Sequence, residues 1–84
     1  MPGRQNLASL LVSLSRDFGM DIDENTVELD IQLSRAELAE LCGMTTEGLI
    51  RHIANLKKEG IVADGAGKKI IIRDFARLRE TIKG

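Results

Sequence analysis

The chain predicts an α+β fold: a helical core containing a helix-turn-helix, with a small antiparallel sheet and a β-hairpin wing. Three observations carry this. Two capped helical segments meet across a short glycine turn at "CGMTT". A period-two alternation, "TVELDIQL", precedes them. After them, "IVADGAGKKIII" sets β-favouring runs on either side of turn chemistry.

The elements follow in order. Leu7, Leu10, Leu11, Leu14 and Phe18 form one apolar stripe at helical spacing, so a first helix runs roughly from Gln5 to Phe18. Gly19 then suits a helix stop in the left-handed region. "MDIDEN" is acidic and turn-like. Val27, Leu29, Ile31 and Leu33 alternate with Glu28, Asp30 and Gln32, which predicts a half-buried strand over "TVELDIQL". Ser34 with Glu37 three residues on is a capping box. It opens a helix of about two turns, with Leu38, Leu41 and Cys42 as its apolar positions and Gly43 as its stop. Thr45 is a good N-cap for the next helix, which runs to Glu59 and stops at Gly60. Leu49, Ile53 and Leu56 face the core. A hairpin follows, then Asp74 caps a last helix with Phe75, Leu78 and Ile82 along one side. With the first strand joined to the hairpin as a three-stranded sheet, this is the winged helix-turn-helix arrangement. It forms one domain over residues 1–84, with the helix-turn-helix at about 34–59 and the wing at about 61–73.

The totals bound the function. A chain of 84 residues buries a small core, and with only Phe18 and Phe75 as aromatics that core is aliphatic. The same scarcity argues against a stacking platform for single strands. Cys42 is the single cysteine, which excludes an internal disulfide and a multi-cysteine zinc site; a small core residue is its expected role. No apolar run approaches the ~20 residues that span a bilayer, and "MPGRQNLASLL" lacks a secretory layout, so a cytoplasmic location is expected, with no membrane partner. Net charge is −1, but it is unevenly spread. Residues 1–50 hold three Lys+Arg against nine Asp+Glu, and residues 51–84 hold nine against four. The basic C-terminal part suits an anionic partner.

"LSRAELAELCGMTTEGLIRHIANLKKEGIV…GKKIIIRDFARLRE" resembles the C-terminal DNA-binding domain of the Crp/Fnr family of bacterial transcription regulators, closely over residues 33–80 and more loosely in the first helix. The resemblance implies a winged helix-turn-helix acting as a homodimer in the full-length regulator, on a roughly palindromic double-stranded site, with RNA polymerase a candidate further partner and no cofactor. It implies base contacts from Thr46, Glu47, Ile50 and Arg51, and phosphate contacts from Ser34, Thr45, Asn55, Lys58 and Lys68. The chemistry agrees: Arg bonds bidentately to guanine and Glu accepts from cytosine. Glu47 and Arg51, at i and i+4, are expected to steady each other. The chain departs from the family pattern at Gly48, usually Thr or Ser, at Ile50, usually small, and at His52, usually aliphatic. Ile50 either contacts a thymine methyl or clashes. The family's sensory β-barrel and long dimerisation helix lie outside these 84 residues, so the chain reads as an excised domain or a family fragment.

Plainer roles compete. Glu47 and Arg51 also fit a solvated surface pair. His52 fits helix packing at the core edge. Lys68 and Lys69 fit an ordinary turn, and Lys57 and Lys58 also suit the negative end of a helix dipole. A winged helix serving only protein interaction is the alternative function. An enzyme is not expected: no nucleophile–base pair, metal cluster or cofactor loop is visible, and "DGAGKK" lacks the length and context of a phosphate loop.

Overall fold

A computed structural model describes residues 3–83. The element order is α1 (Gly3–Phe18), β1 (Gly19–Asp23), β2 (Thr26–Leu29), α2 (Arg35–Cys42), α3 (Thr46–Lys58), β3 (Val62–Asp64), β4 (Ile70–Ile72) and α4 (Phe75–Lys83). The sheet runs β1-β2-β4-β3 and all three pairings are antiparallel.

One aliphatic cluster fills the interior. Leu7, Leu11, Leu29, Leu38, Leu49, Leu56, Ile61, Ile72 and Leu78 are its largest fully buried side chains, drawn from every helix and from the sheet. The central strands are aligned by register, with Val27 opposite Ile72 and Val62 opposite Ile72 from the other side. Val27, Leu29, Val62, Ile70 and Ile72 are thereby turned inward together, as period two requires.

Local chemistry sets the helix ends. Ser34 Oγ accepts from Glu37 N at 3.0 Å and Glu37 Oε1 accepts from Ser34 N at 2.8 Å, the reciprocal capping box. Gly43 ends α2 at φ 68°, and Met44 N donates back to Ala39 O. Thr45 Oγ1 accepts from Gly48 N at 3.0 Å to open α3, and Gly60 follows its end at φ 76°. These glycines sit where an L side chain is strained, so the two stops are backbone-encoded.

Several expectations need correction. The first helix starts at Gly3, ahead of Gln5. "MDIDEN" is not simply a turn: Gly19–Asp23 forms β1, hydrogen-bonded to β2, and only the tight reversal before Thr26 is turn. The sheet is therefore four-stranded, not three. Gly19 is not a left-handed stop either, because it is the first residue of β1. It is glycine for space: a Cβ there would overlap the Ser15 carbonyl oxygen and stand 2.9 Å from Val27 Cγ1. The strand predicted through Leu33 pairs only to Leu29, after which Asp30 N turns back to Phe18 O at 2.8 Å. Ile31 and Leu33 continue the inward alternation without a partner strand and pack on the core's edge. The helix stripes are also shifted. Ala8 and Val12 are buried in α1 while Phe18 is 39% exposed, and Leu41 of α2 is 59% exposed.

The outer strand β1 is exposed at every residue. It presents Met20, Asp21, Ile22 and Asp23 to solvent, with a register break between Asp21 and Asp23 and one backbone edge unpaired. No helix among the described residues is long and apolar enough to cross a membrane.

Candidate nucleic-acid interface

The helix-turn-helix brings two faces of α3 into different surroundings. At about 100° per residue, Leu49, Ile53 and Leu56 fall on one side, and all three are buried. Glu47, Arg51 and Lys58 fall within roughly 40° of each other on the opposite side, and all are exposed. Ile50 lies about 60° from Glu47 on one edge of that stripe and Asn55 about 40° from Arg51 on the other, while Thr46, in the first turn, lies about 100° from Glu47, toward the core side; all three are exposed, Ile50 at 50%. Of the sequence-predicted base-contact set, Glu47, Ile50 and Arg51 therefore share one solvent-facing surface, and Thr46 is exposed to its side at the start of the helix. The expected Glu47–Arg51 ion pair is not formed: among the described residues neither side chain has a salt-bridge partner.

The predicted phosphate-contact set lies around that stripe. Ser34 and Thr45 are exposed at the starts of α2 and α3. Each oxygen accepts one backbone N–H, which leaves each hydroxyl proton available to donate outward. Lys58 lies about 16 Å along the helix axis from Glu47, farther than the ~12 Å width of a major groove. Lys68 stands at the wing tip with φ 65°. That left-handed conformation, following Gly67 at φ 64°, folds the tip tightly between Gly65 and Lys69.

Ion pairs sort the remaining cations. Lys57 Nζ lies 2.8 Å from Asp64 Oδ2, and Arg35 Nη2 lies 3.5 Å from Asp64 Oδ1. Arg35 opens α2, Lys57 is in the last turn of α3 and Asp64 ends β3, so one carboxylate joins three elements. The side-chain hydrogen bond from Lys57, with the charges of Lys57 and Arg35, holds the Asp64 carboxyl below its usual range. Ser34, Arg35, Lys57, Asp64 and Lys68 line one open groove between the wing and α2. Sequence reasoning named Ser34 and Lys68 there but missed Arg35 as a groove cation. Lys69, the other wing lysine, bonds Asp30 Oδ1 at 2.8 Å instead, and that bond raises its pKa.

Two further contacts hold α3 at its angle. Arg4 grips Glu59 bidentately, Nη2 to Oε1 at 3.0 Å and Nη1 to Oε2 at 2.7 Å, while Arg77 Nη1 donates to the Glu59 carbonyl at 2.8 Å. The C-terminus of α3 is thus tied to α1 and α4 together. His52 lies beside Gly3, where a Cβ would come within 2.6 Å of its Nε2, in keeping with a packing role at the core edge. Cys42 is half-buried, and burial raises its thiol pKa, so little thiolate forms near neutrality. Gly48 is buried, and a Cβ there would meet only Thr45 Oγ1, at 3.1 Å.

Comparisons with known proteins agree with this architecture. A family model described as a Crp-like helix-turn-helix domain matches residues 5–81. The chain is 35% identical over 80 residues to the transcriptional activator protein FnrL of Cereibacter sphaeroides, covering 92% of this chain and 32% of that protein. It is similar to the CO-dependent transcription factor CooA from Carboxydothermus hydrogenoformans in its imidazole-bound form, with a TM-score of 0.84 and 25% identity over 94% of this chain and 36% of that one. It is also similar to a Crp/Fnr-family transcriptional regulator from Thermus thermophilus, with a TM-score of 0.80 and 27% identity over 96% of this chain and 40% of that one. The chain spans about a third of the length of the curated relatives it matches.

Proposed function

The chain belongs to the Crp-like helix-turn-helix domain family, and from that premise we propose that it is the output domain of a Crp/Fnr-type transcription regulator, binding double-stranded DNA sequence-specifically. The family is one of transcription regulators and not of enzymes. The observation that carries the DNA-binding reading is the single exposed stripe of α3. It puts Glu47 and Arg51 forward together, opposite the buried Leu49, Ile53 and Leu56. A helix held by its far face and tied at its end by Arg4 and Arg77 is suited to entering a major groove.

In this reading Arg51 reads a guanine and Glu47 accepts from a cytosine amine, with Thr46 and Ile50 against neighbouring base edges. Ser34, Thr45, Asn55, Lys58 and Lys68 contact phosphates, which sets position but reads no sequence. Lys58 lies beyond the width of the groove from Glu47, which supports a backbone contact over a base contact. The residues work as one domain. Two copies on a palindrome, joined in the full-length regulator, multiply a weak half-site affinity through effective concentration. A cytoplasmic location and contact with RNA polymerase belong to the same reading.

The test is selection of bound duplexes by a tethered dimer, followed by gel shift at several salt concentrations. The expected result is a palindromic site whose affinity falls steeply with salt. Arg51→Ala is expected to lose roughly ten- to hundredfold of its preference at one base pair, the ~1–3 kcal/mol of a bidentate contact. An unchanged operator affinity in Arg51→Ala removes the site assignment. A folded, tethered dimer that binds no duplex at low salt moves the function to a protein-interaction module.

A further inference from the structure

The groove between the wing and α2 holds one feature that the DNA-binding reading leaves unused. Among the described residues lining it, Asp64 is the one anion, set among Arg35, Lys57 and Lys68. Its two oxygens are divided between two cations from different elements: Oδ2 faces Lys57 Nζ at 2.8 Å and Oδ1 faces Arg35 Nη2 at 3.5 Å. Ser34, with a hydroxyl proton to donate, stands on the same wall. Two cations converging on a two-oxygen anion, in a groove that a hydroxyl also lines, match the surroundings of a bound backbone phosphate.

Stability does not account for the arrangement. The Asp64 side chain is 59% exposed, and exposed ion pairs contribute little to folding. The wing is already held by the β3–β4 pairing and by its tight tip. What the carboxylate does change is the charge presented to an incoming polyanion. It neutralises part of the groove, and it occupies the point on which Arg35 and Lys57 converge.

We propose that the Asp64 carboxylate holds, in the free protein, the place that a DNA backbone phosphate takes in the complex, and so limits how tightly the domain grips duplex DNA of any sequence. The inference rests on the DNA-binding reading and deepens it. On binding, the phosphate replaces the carboxylate between Arg35 and Lys57, and Asp64 remains nearby as a repelling charge. Fewer counterions are then released than the groove's cations alone would release. Affinity for random duplex is held down, and occupancy comes to depend more on base contacts.

The experiment uses the 84-residue chain and its Asp64→Asn and Asp64→Glu variants. Fluorescence anisotropy follows binding to a random duplex from 50 to 200 mM salt, about the range over which phosphate contacts dominate the dependence. Asp64→Asn is expected to bind about tenfold more tightly near 0.1 M salt, with a log–log salt slope steeper by about one, the effect of one more neutralised phosphate. Asp64→Glu keeps the charge and is expected to keep the wild-type slope. Adding Arg35→Ala to Asp64→Asn is expected to remove most of the gain. Unchanged or weaker binding by Asp64→Asn, at an unchanged melting temperature, overturns the proposal, as does a gain that persists without Arg35. A folded, tethered dimer of the wild-type chain that binds no duplex at low salt defeats the DNA-binding reading and this inference together. Wild-type binding with an indifferent Asp64→Asn defeats this inference alone.

Discussion

Asn25 Nδ2 donates to Asp74 Oδ1 at 2.8 Å, across 49 residues of sequence. The same two residues bind each other's surroundings. Asn25 Oδ1 accepts from Ala76 N at 2.9 Å, the Asn25 carbonyl accepts from Phe75 N at 3.0 Å, and Asp74 Oδ1 also accepts from Arg77 N at 3.1 Å. The β1–β2 turn therefore supplies part of the N-terminal cap of α4. Asn25→Ala removes two of these bonds and leaves the Ala76 amide without its acceptor. The expected outcome is a melting temperature lowered by about 5 °C, read by circular dichroism. An unchanged midpoint would mean that water replaces Asn25 at no cost.

Acid is expected to destabilise the fold through a defined group of carboxyls. Asp74 is held below its ordinary value near 3.8 by the Asn25 side chain and the Arg77 amide. Asp23 is held down by the Asn25 amide. Glu59 is held below 4.5 by Arg4, and Glu37 by the Ser34 amide and hydroxyl. Each group is more readily ionised folded than unfolded. Its contribution is complete above the unfolded pKa and is lost as pH falls through the folded one. Melting temperature should be level from about pH 7 to 5 and then fall progressively below about pH 4. Glu59→Gln should flatten part of that fall, and an identical acid profile for the variant would count against the Arg4–Glu59 contact.

Gly19→Ala is expected to cost about 1–3 kcal/mol, the range for forcing volume into a packed site. The new Cβ meets a backbone oxygen at Ser15 and the Val27 side chain, and the backbone cannot swing aside as a flexible chain end would. Urea denaturation measures the loss. A neutral result would require α1 and β1 to separate at their junction.

The pair Gly48 and Ile50 is where target preference should move. Ile50 is half exposed beside Glu47 and Arg51, and Gly48 lies one residue beyond Glu47, against Thr45. A Gly48→Thr, Ile50→Ser variant should select a different duplex from a random pool. Recovery of the wild-type site would class both positions as tolerated variation.

Much of this was legible from spacing alone. The caps at Ser34 and Thr45, the stops at Gly43 and Gly60, and the buried triad Leu49, Ile53 and Leu56 all follow from local rules that tertiary contacts do not override. β1 was not legible. "GMDID" has the composition of a turn and buries nothing, and it is a strand only because β2 offers it hydrogen bonds. Gly19 looked like a stop because sequence reports the missing side chain but not the Ser15 oxygen that excludes one. Leu41 matches a helical stripe, but the buried side of α2 is centred on Leu38, Ala39 and Cys42, and Leu41 lies about 100° from that centre. Within the candidate interface, the reading stripe was visible as periodicity. The Asp64 pairings were not, because Arg35 and Asp64 lie 29 residues apart and meet only when the hairpin folds back.

β1 also bears on how the protein behaves in bulk. An edge strand with free backbone groups and with Met20 and Ile22 in solvent is a template for joining sheets edge to edge. Asp21 and Asp23 act there as gatekeepers, since two such edges cannot approach without bringing like charges together. The colloidal stability of the chain thus draws on two edge carboxylates that lie outside the core. Concentrated stocks should stay clear at neutral pH, and those of an Asp21→Asn, Asp23→Asn variant should turn cloudy there.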